Sequence, residues 1–122
     1  MKYIRFVAGT NRESPRRQHG VVTALRMLRD SGEVADYEAA HIRELFEWMN
    51  ENLPCPPFKE SDWSSDAISW FKDSAQEFIS RIRDMIVLLE IHGRPVRTIT
   101  TLAPGSILYE DDYQVVAESP HY

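Results

Sequence analysis

The sequence predicts a single α+β domain over residues 1–122, because helix-forming and strand-forming segments occupy separate blocks of the chain. Apolar residues recur at helical spacing in the middle, whereas both ends are rich in β-branched and aromatic residues. A chain of this length buries enough surface to form one core without a metal or a disulfide. We predict the order β-α-α-α-β-β-β, a small antiparallel or mixed sheet with helices packed on one face, and one long central helix.

The N-terminal half predicts one strand and two helices. Residues 2–8 are β-branched and aromatic and stop at Gly9, which is typical of a central strand. After a polar loop, apolar spacing predicts one helix over residues 17–30 and a second that begins at Asp36, a favourable N-cap. Three prolines in the connector of residues 53–57 end the second helix. The expected buried stripes are Val21, Val22, Leu25 and Leu28, followed by Ile42, Leu45, Phe46 and Met49.

The clearest periodic pattern predicts a long third helix, because the apolar residues of positions 68–89 alternate at spacings of three and four. Ser64 or Ser65 would cap this helix, and Gly93 would end it. The helix between these two signals has about 27 residues, which at roughly 1.5 Å each give a rod of about 40 Å, longer than the rest of the domain covers. Part of the helix is therefore expected to face a second subunit. The stripe comprises Ile68, Phe71, Ala75, Phe78, Ile82, Met85 and Leu89.

The C-terminal part predicts a three-stranded meander. Apolar and polar residues alternate with period two over residues 96–102, 106–109 and 113–118. Pro104 and Gly105 predict the first turn, and the acidic residues 110–112 predict the second.

Composition excludes several protein classes. The longest apolar run, residues 85–89, is far below the roughly 20 residues that cross a bilayer. The apolar start of the chain is interrupted by Arg5, which favours a strand over a secretory signal. Cys55 is the only cysteine, so an internal disulfide and a paired-cysteine zinc site are excluded. We interpret Cys55 as packing, with a nucleophile as the alternative, and expect a cytoplasmic protein.

The net charge of −5 is unevenly distributed. Residues 1–30 carry seven Lys or Arg against two acids, whereas residues 31–70 carry two against nine. This asymmetry indicates either a surface that faces an anion or a basic first helix packed on an acidic second one. Nucleic-acid binding is disfavoured, because it normally requires a strongly positive face.

The loop of residues 9–19 is the candidate anion site, through Arg12, Arg16 and Arg17. A strand-to-helix turn presents backbone N–H groups to an anion, although the loop lacks both the GxxxxGK[ST] and the GxGxxG motifs. The alternative is that these arginines are merely solvated. Residues 110–112 suit a divalent cation or a solvated hairpin turn, and the turn is favoured because adjacent strand residues point to opposite faces.

Aromatic residues flank the proline connector. Trp48 and Trp70 are expected in the core, whereas Trp63 and Phe58 are the candidates for an exposed interaction surface. The four histidines lack metal-ligand spacing, so no metal or other cofactor is expected. His92 is explained by its place in the last turn of the third helix, where a cation is favourable.

Segments in both halves of the chain carry a family resemblance. They are Trp70-Phe71-Lys72, residues 92–96, residues 104–117, residues 45–48 and residues 52–54. Together they cover most of the chain and resemble a family of short uncharacterised bacterial proteins. The resemblance implies a bacterial origin and carries no function, because no activity is attached to that family.

Two functions remain open. The first is a non-enzymatic module that binds a protein partner or itself through the long helix, the connector or a sheet edge, which the lack of a recognisable catalytic constellation favours. The second is a small enzyme or ligand-binding domain with a phosphate or nucleotide pocket between the loop of residues 9–19 and the C-terminal meander. In that pocket the three loop arginines would bind the anion, and Glu110 or Asp112 would act as acid or base.

Overall fold

The structure is a computed structural model that describes residues 1–9, 19–57, 62–63 and 67–118. It confirms the α+β class, with two strands, β2 and β3, more than the predicted order. In chain order the elements are β1 Tyr3–Ala8, β2 His19–Gly20, α1 Val21–Asp30, α2 Asp36–Asn52, β3 Ile68–Lys72, α3 Gln76–Ile91, β4 Val96–Thr101, β5 Ser106–Glu110 and β6 Gln114–Glu118.

The strands form one antiparallel sheet centred on β1 and β3. One edge of β1 pairs with β4 over its whole length, through six consecutive residue pairs. The other edge is shared, because β3 pairs with Tyr3 and Ile4 while the short β2 pairs with Val7 and Ala8. β3 continues to β6, and β6 to β5, so the main order is β4-β1-β3-β6-β5. The predicted meander is therefore wrong at its first strand, since β4 and β5 lie at opposite ends of the sheet.

The predicted long helix is wrong in its first third. Ile68 and Phe71 belong to β3, and α3 begins only at Gln76, so its 16 residues span about 24 Å. The physical reason is tertiary, because β3 supplies backbone partners to both β1 and β6. Its β-branched and aromatic side chains also suit a strand. The proposed caps Ser64 and Ser65 lie outside the described residues.

The helices cover one face of the sheet, as predicted, and α3 lies at the centre of the core. The stripe that the sequence predicts within α3 is buried. Phe6 of β1 joins this core directly, while Ile4, Phe71 and Val96 pack against it. Because the side chains of this stripe are buried within one chain, they give no reason to expect a second subunit. The buried residues of α3 are Phe78, Ile79, Ile82, Met85, Leu88 and Leu89.

A polar clamp joins the start of α2 to the end of α3. Ala35, not Asp36, is the N-cap residue, so the predicted cap is displaced by one position. The backbone N–H of Ala35 donates to Glu38 Oε1 at 3.0 Å, and His92 Nε2 lies 2.8 Å from Glu38 Oε2. The Ala35 N–H and, next, the His92 side chain hold the pKa of Glu38 below its ordinary value of 4.5. His92 therefore stabilises a helix-to-helix contact.

Replacing Glu38 with glutamine should make the free energy of unfolding less dependent on pH in the acid range. The folded protein resists protonation of Glu38, so the unfolded chain binds more protons as the pH falls. The stabilising contribution is thus complete above about pH 4.5 and is lost as the pH falls through the lower folded pKa. Urea unfolding as a function of pH measures this difference. Glu44→Gln is the matched control, because it removes an exposed carboxylate from the same helix. Parallel curves for wild type and Glu38→Gln would contradict the clamp.

Candidate anion-binding site

The residues that the sequence selects for binding are only partly described. Arg12, Arg16, Arg17 and Phe58 lie outside the described residues, so the anion loop and its pocket stay predictions. Trp63 is half-buried, and its ring centroid lies 6.3 Å from that of Tyr109. Trp63 therefore packs on the β5–β6 hairpin and is less exposed than expected.

Asp111 organises the hairpin turn between β5 and β6. Its Oδ1 accepts the backbone N–H groups of Tyr113 and Gln114 at 2.8 and 3.0 Å. Its Oδ2 accepts the Tyr109 hydroxyl at 2.9 Å and the Gln114 side-chain amide at 3.1 Å. Burial raises the pKa of Asp111, but these hydrogen bonds outweigh it and hold the pKa below its ordinary value. This geometry supports the turn interpretation of residues 110–112. Among the described residues, no group of three or more His, Cys, Asp or Glu side chains suits a metal ion.

The proline connector docks on the same hairpin. The buried Gln114 donates its side-chain amide to the Pro54 carbonyl at 2.7 Å. Cys55 is exposed, with Sγ 3.7 Å from the Pro56 carbonyl, so the interpretation of Cys55 as packing is wrong.

An open cleft of about 280 Å³ lies between the end of α2, the start of α3 and the hairpin turn. Its walls include the rings of Trp48, Phe78 and Tyr113. Its charged lining residues, Glu77 and Asp112, are both acidic, and no basic residue lines it among the residues that the structure describes. Asp112 therefore faces a cleft that would repel an anion.

Positive charge instead collects on the face of the sheet that points away from the helices, which we call the outer face. Strand side chains alternate between faces, and the pairing registers assign each residue. Val7, Val115 and Ala117 form a buried apolar floor on this face. Trp70, expected in the helix-side core, lies here and is half-buried. The outer face comprises Tyr3, Arg5, Val7, Ile68, Trp70, Lys72, Arg97, Ile99, Thr101, Ile107, Glu110, Val115 and Ala117.

Arg5 and Arg97 are diagonal neighbours on the outer face. Arg97 pairs with Val7 across the β1–β4 ladder, and Arg5 pairs with Ile99. Burial and, next, the charge of Arg97 hold the pKa of Arg5 below its ordinary value. The Arg97 Nε is buried and has no hydrogen-bond partner in the described part of the chain. No salt bridge joins either guanidinium to an acid within residues 1–9, 19–57, 62–63 and 67–118.

The third cation of the outer face is already neutralised. Lys72 Nζ lies 2.6 Å from Glu110 Oε2, and this hydrogen bond is the main reason that the pKa of Lys72 is raised. The unbalanced positive charge of the outer face therefore resides on Arg5 and Arg97.

Reasoning from the sequence missed this pair, because the two arginines come from strands at opposite ends of the chain. One signal was present, since Arg5 interrupts an otherwise apolar strand that is predicted to be central. Among the described helices, none has the length and apolar character needed to cross a bilayer. The chain matches no family model, no curated protein and no solved structure.

Proposed function

We propose that the protein binds a phosphate-type anion on the outer face of its sheet, through Arg5 and Arg97. The observation that carries the proposal is the pair of adjacent guanidiniums, Arg5 and Arg97, which form no salt bridge within the described residues. The buried Arg97 Nε also lacks a hydrogen-bond partner there, although buried polar groups in native proteins are nearly always hydrogen-bonded. A bound oxyanion would offset the repulsion between the two adjacent positive charges.

The chemistry of the two side chains favours phosphate over a single carboxylate. Each guanidinium is a planar fork of donors that binds two oxygens of one anion. Two such forks on neighbouring positions match a ligand with several oxygens and more than one negative charge. A phosphate or diphosphate group has both properties.

Binding, without catalysis, is the function that the described residues support. Of the two residues suggested as acid or base, Glu110 is paired with Lys72, and Asp112 lines the acidic cleft at the hairpin turn. Asp111, which lies between them, accepts four hydrogen bonds within the turn.

Replacing Arg97 with methionine should weaken the binding of inorganic pyrophosphate by about tenfold, because one charged hydrogen bond contributes roughly 1.5–3 kcal/mol. Arg5→Met should have an effect of similar size. Isothermal titration calorimetry at low salt measures both affinities. Arg83→Met is the matched control, because it removes an exposed arginine from α3 and should leave the affinity unchanged.

Equal pyrophosphate affinity in wild type and both outer-face variants would overturn the proposal. Equal losses in Arg97→Met and Arg83→Met would also contradict it, since the effect would then reflect net charge alone. A loss confined to the two outer-face variants supports it.

A further inference from the structure

We infer that the anion bound on the outer face is the phosphate of a free nucleotide whose base stacks on Trp70. The inference rests on the proposed phosphate site and names the class of ligand. It depends on three observations, namely the position of Trp70 on the same face as Arg5, its partial burial outside the helix-side core, and the small number of unbalanced cations.

Trp70 occupies the position next to Arg5 on the outer face. β1 and β3 pair antiparallel through Tyr3 with Lys72 and Ile4 with Phe71. The ladder ends at Ile4 with Phe71, so Arg5 and Trp70 are the next residues beyond it and lie on the same face of the sheet. Arg97 is the diagonal neighbour of Arg5 on β4. A phosphate held by the two arginines thus has an indole ring within reach of its attached nucleoside.

The Trp70 ring does not pack in the helix-side core. Trp70 is half-buried and lies outside the helix-side core cluster. On its other side it pairs with Val115, a fully buried residue of the apolar floor. None of the ring contacts within the described residues involves Trp70. The part of the ring that stays exposed would offer a surface on which a nucleobase can stack.

The charge of the outer face decides between a free nucleotide and a nucleic-acid strand. Lys72 is neutralised by Glu110, so Arg5 and Arg97 are the unbalanced cations among the described outer-face residues. Two positive charges balance one phosphate group, which carries a charge of about −2, and balance most of the charge of a diphosphate. A strand with many phosphates needs a continuous basic surface, and this chain carries a net charge of −5. The geometry therefore points to a nucleoside mono- or diphosphate.

The test compares ADP with inorganic pyrophosphate on the full-length protein by isothermal titration calorimetry. The wild type should bind ADP about tenfold more tightly than pyrophosphate, because one base stacked on an aromatic ring contributes an effect of that order. Trp70→Leu should remove this difference while leaving pyrophosphate affinity intact, and Trp70→Phe should restore most of it. An eight-nucleotide single strand is the third ligand, measured at two salt concentrations.

The outcomes separate this inference from the proposed function. Equal affinity for ADP and pyrophosphate in the wild type would overturn the nucleotide and leave the anion site standing. Binding of neither ligand would overturn both. Retained ADP preference in Trp70→Leu would overturn the role of Trp70. Tighter binding of the single strand than of ADP, with a steeper salt dependence, would overturn the assignment to a free nucleotide.

Discussion

Replacing Phe78 with alanine should lower the free energy of unfolding by about 3–5 kcal/mol, the range for truncating a buried phenylalanine. Phe78 is 5% exposed and touches three other rings. Its centroid lies 5.1 Å from Trp48, 4.6 Å from Tyr113 and 6.5 Å from Phe71. Alanine would leave a cavity where α2, α3, β3 and the β5–β6 hairpin meet. Because such domains are stable by roughly 5–15 kcal/mol, this single change removes a large share of the stability.

Urea unfolding followed by circular dichroism measures the effect. Tyr37→Ala is the matched control, since it truncates an aromatic residue of α2 that is 78% exposed and should change stability by less than about 0.5 kcal/mol. A loss below about 1 kcal/mol for Phe78→Ala would contradict the burial of this ring.

The pair of Phe71 and Phe78 also tests where α3 begins. In one continuous helix the two residues would be separated by about 10 Å along the axis, too far for their rings to stack. In the structure the chain turns between β3 and α3, and the two rings are inclined by only 18°. A double-mutant cycle with Phe71→Ala should therefore give a coupling energy of about 0.5–1.5 kcal/mol. A coupling near zero would favour the continuous helix.

Periodic apolar patterns in the sequence were sufficient to predict a helix or strand where that element buries one of its faces in the core. The apolar spacing of α1 and α2 predicts Leu25, Leu28, Ile42 and Leu45 as core residues, and all four are buried. Period-two alternation likewise predicts β4, β5 and β6 within one or two residues of their bounds. In each case the periodicity comes directly from the contact that buries the element, so the sequence carries it.

Local patterns failed where pairing with distant strands decides the conformation. Ile68 lies three residues before Phe71, and Phe71 lies four residues before Ala75. These spacings continue the helical pattern of α3 toward the N-terminus, although both residues belong to a strand. Their strand conformation is determined by β1 and β6, which both need a neighbour at this place. The same cause explains the position of β4, since no local pattern states which edge of β1 it will occupy.

The candidate site could not be predicted for a similar reason. Arg5 and Arg97 come together only through the register of the β1–β4 ladder. A shift of one residue would move Arg97 to the helix-facing side. The arginines that lie close to each other along the chain are instead Arg12, Arg16 and Arg17. Proximity in sequence is a poor guide to charge convergence in a sheet, where neighbours come from different strands.

Replacing Arg97 with methionine should raise the free energy of unfolding by about 1–2 kcal/mol in the absence of any anion. The change removes a buried N–H that lacks an acceptor among the described residues, and such a group destabilises by roughly 1–3 kcal/mol. It also removes the repulsion between Arg97 and the partly desolvated Arg5. Methionine keeps an apolar stem of similar reach, so the packing that the arginine stem provides is retained. Arg83→Met should shift stability by less than about 0.5 kcal/mol.

The stability gap between the two proteins should close when the ligand is present. A ligand that binds only the folded state stabilises the wild type by about 2.7 kcal/mol at a concentration 100 times its Kd. The same concentration is about 10 times the Kd of Arg97→Met, which is therefore stabilised by about 1.4 kcal/mol. The difference of about 1.3 kcal/mol offsets most of the gain expected from Arg97→Met. Urea unfolding of both proteins with and without pyrophosphate measures how far the gap closes. Such a ligand-dependent loss of the variant's advantage is expected for a binding residue that destabilises the unliganded fold. If Arg97→Met were less stable in both buffers, Arg97 would have a structural partner, and the outer face would not be supported as an anion site.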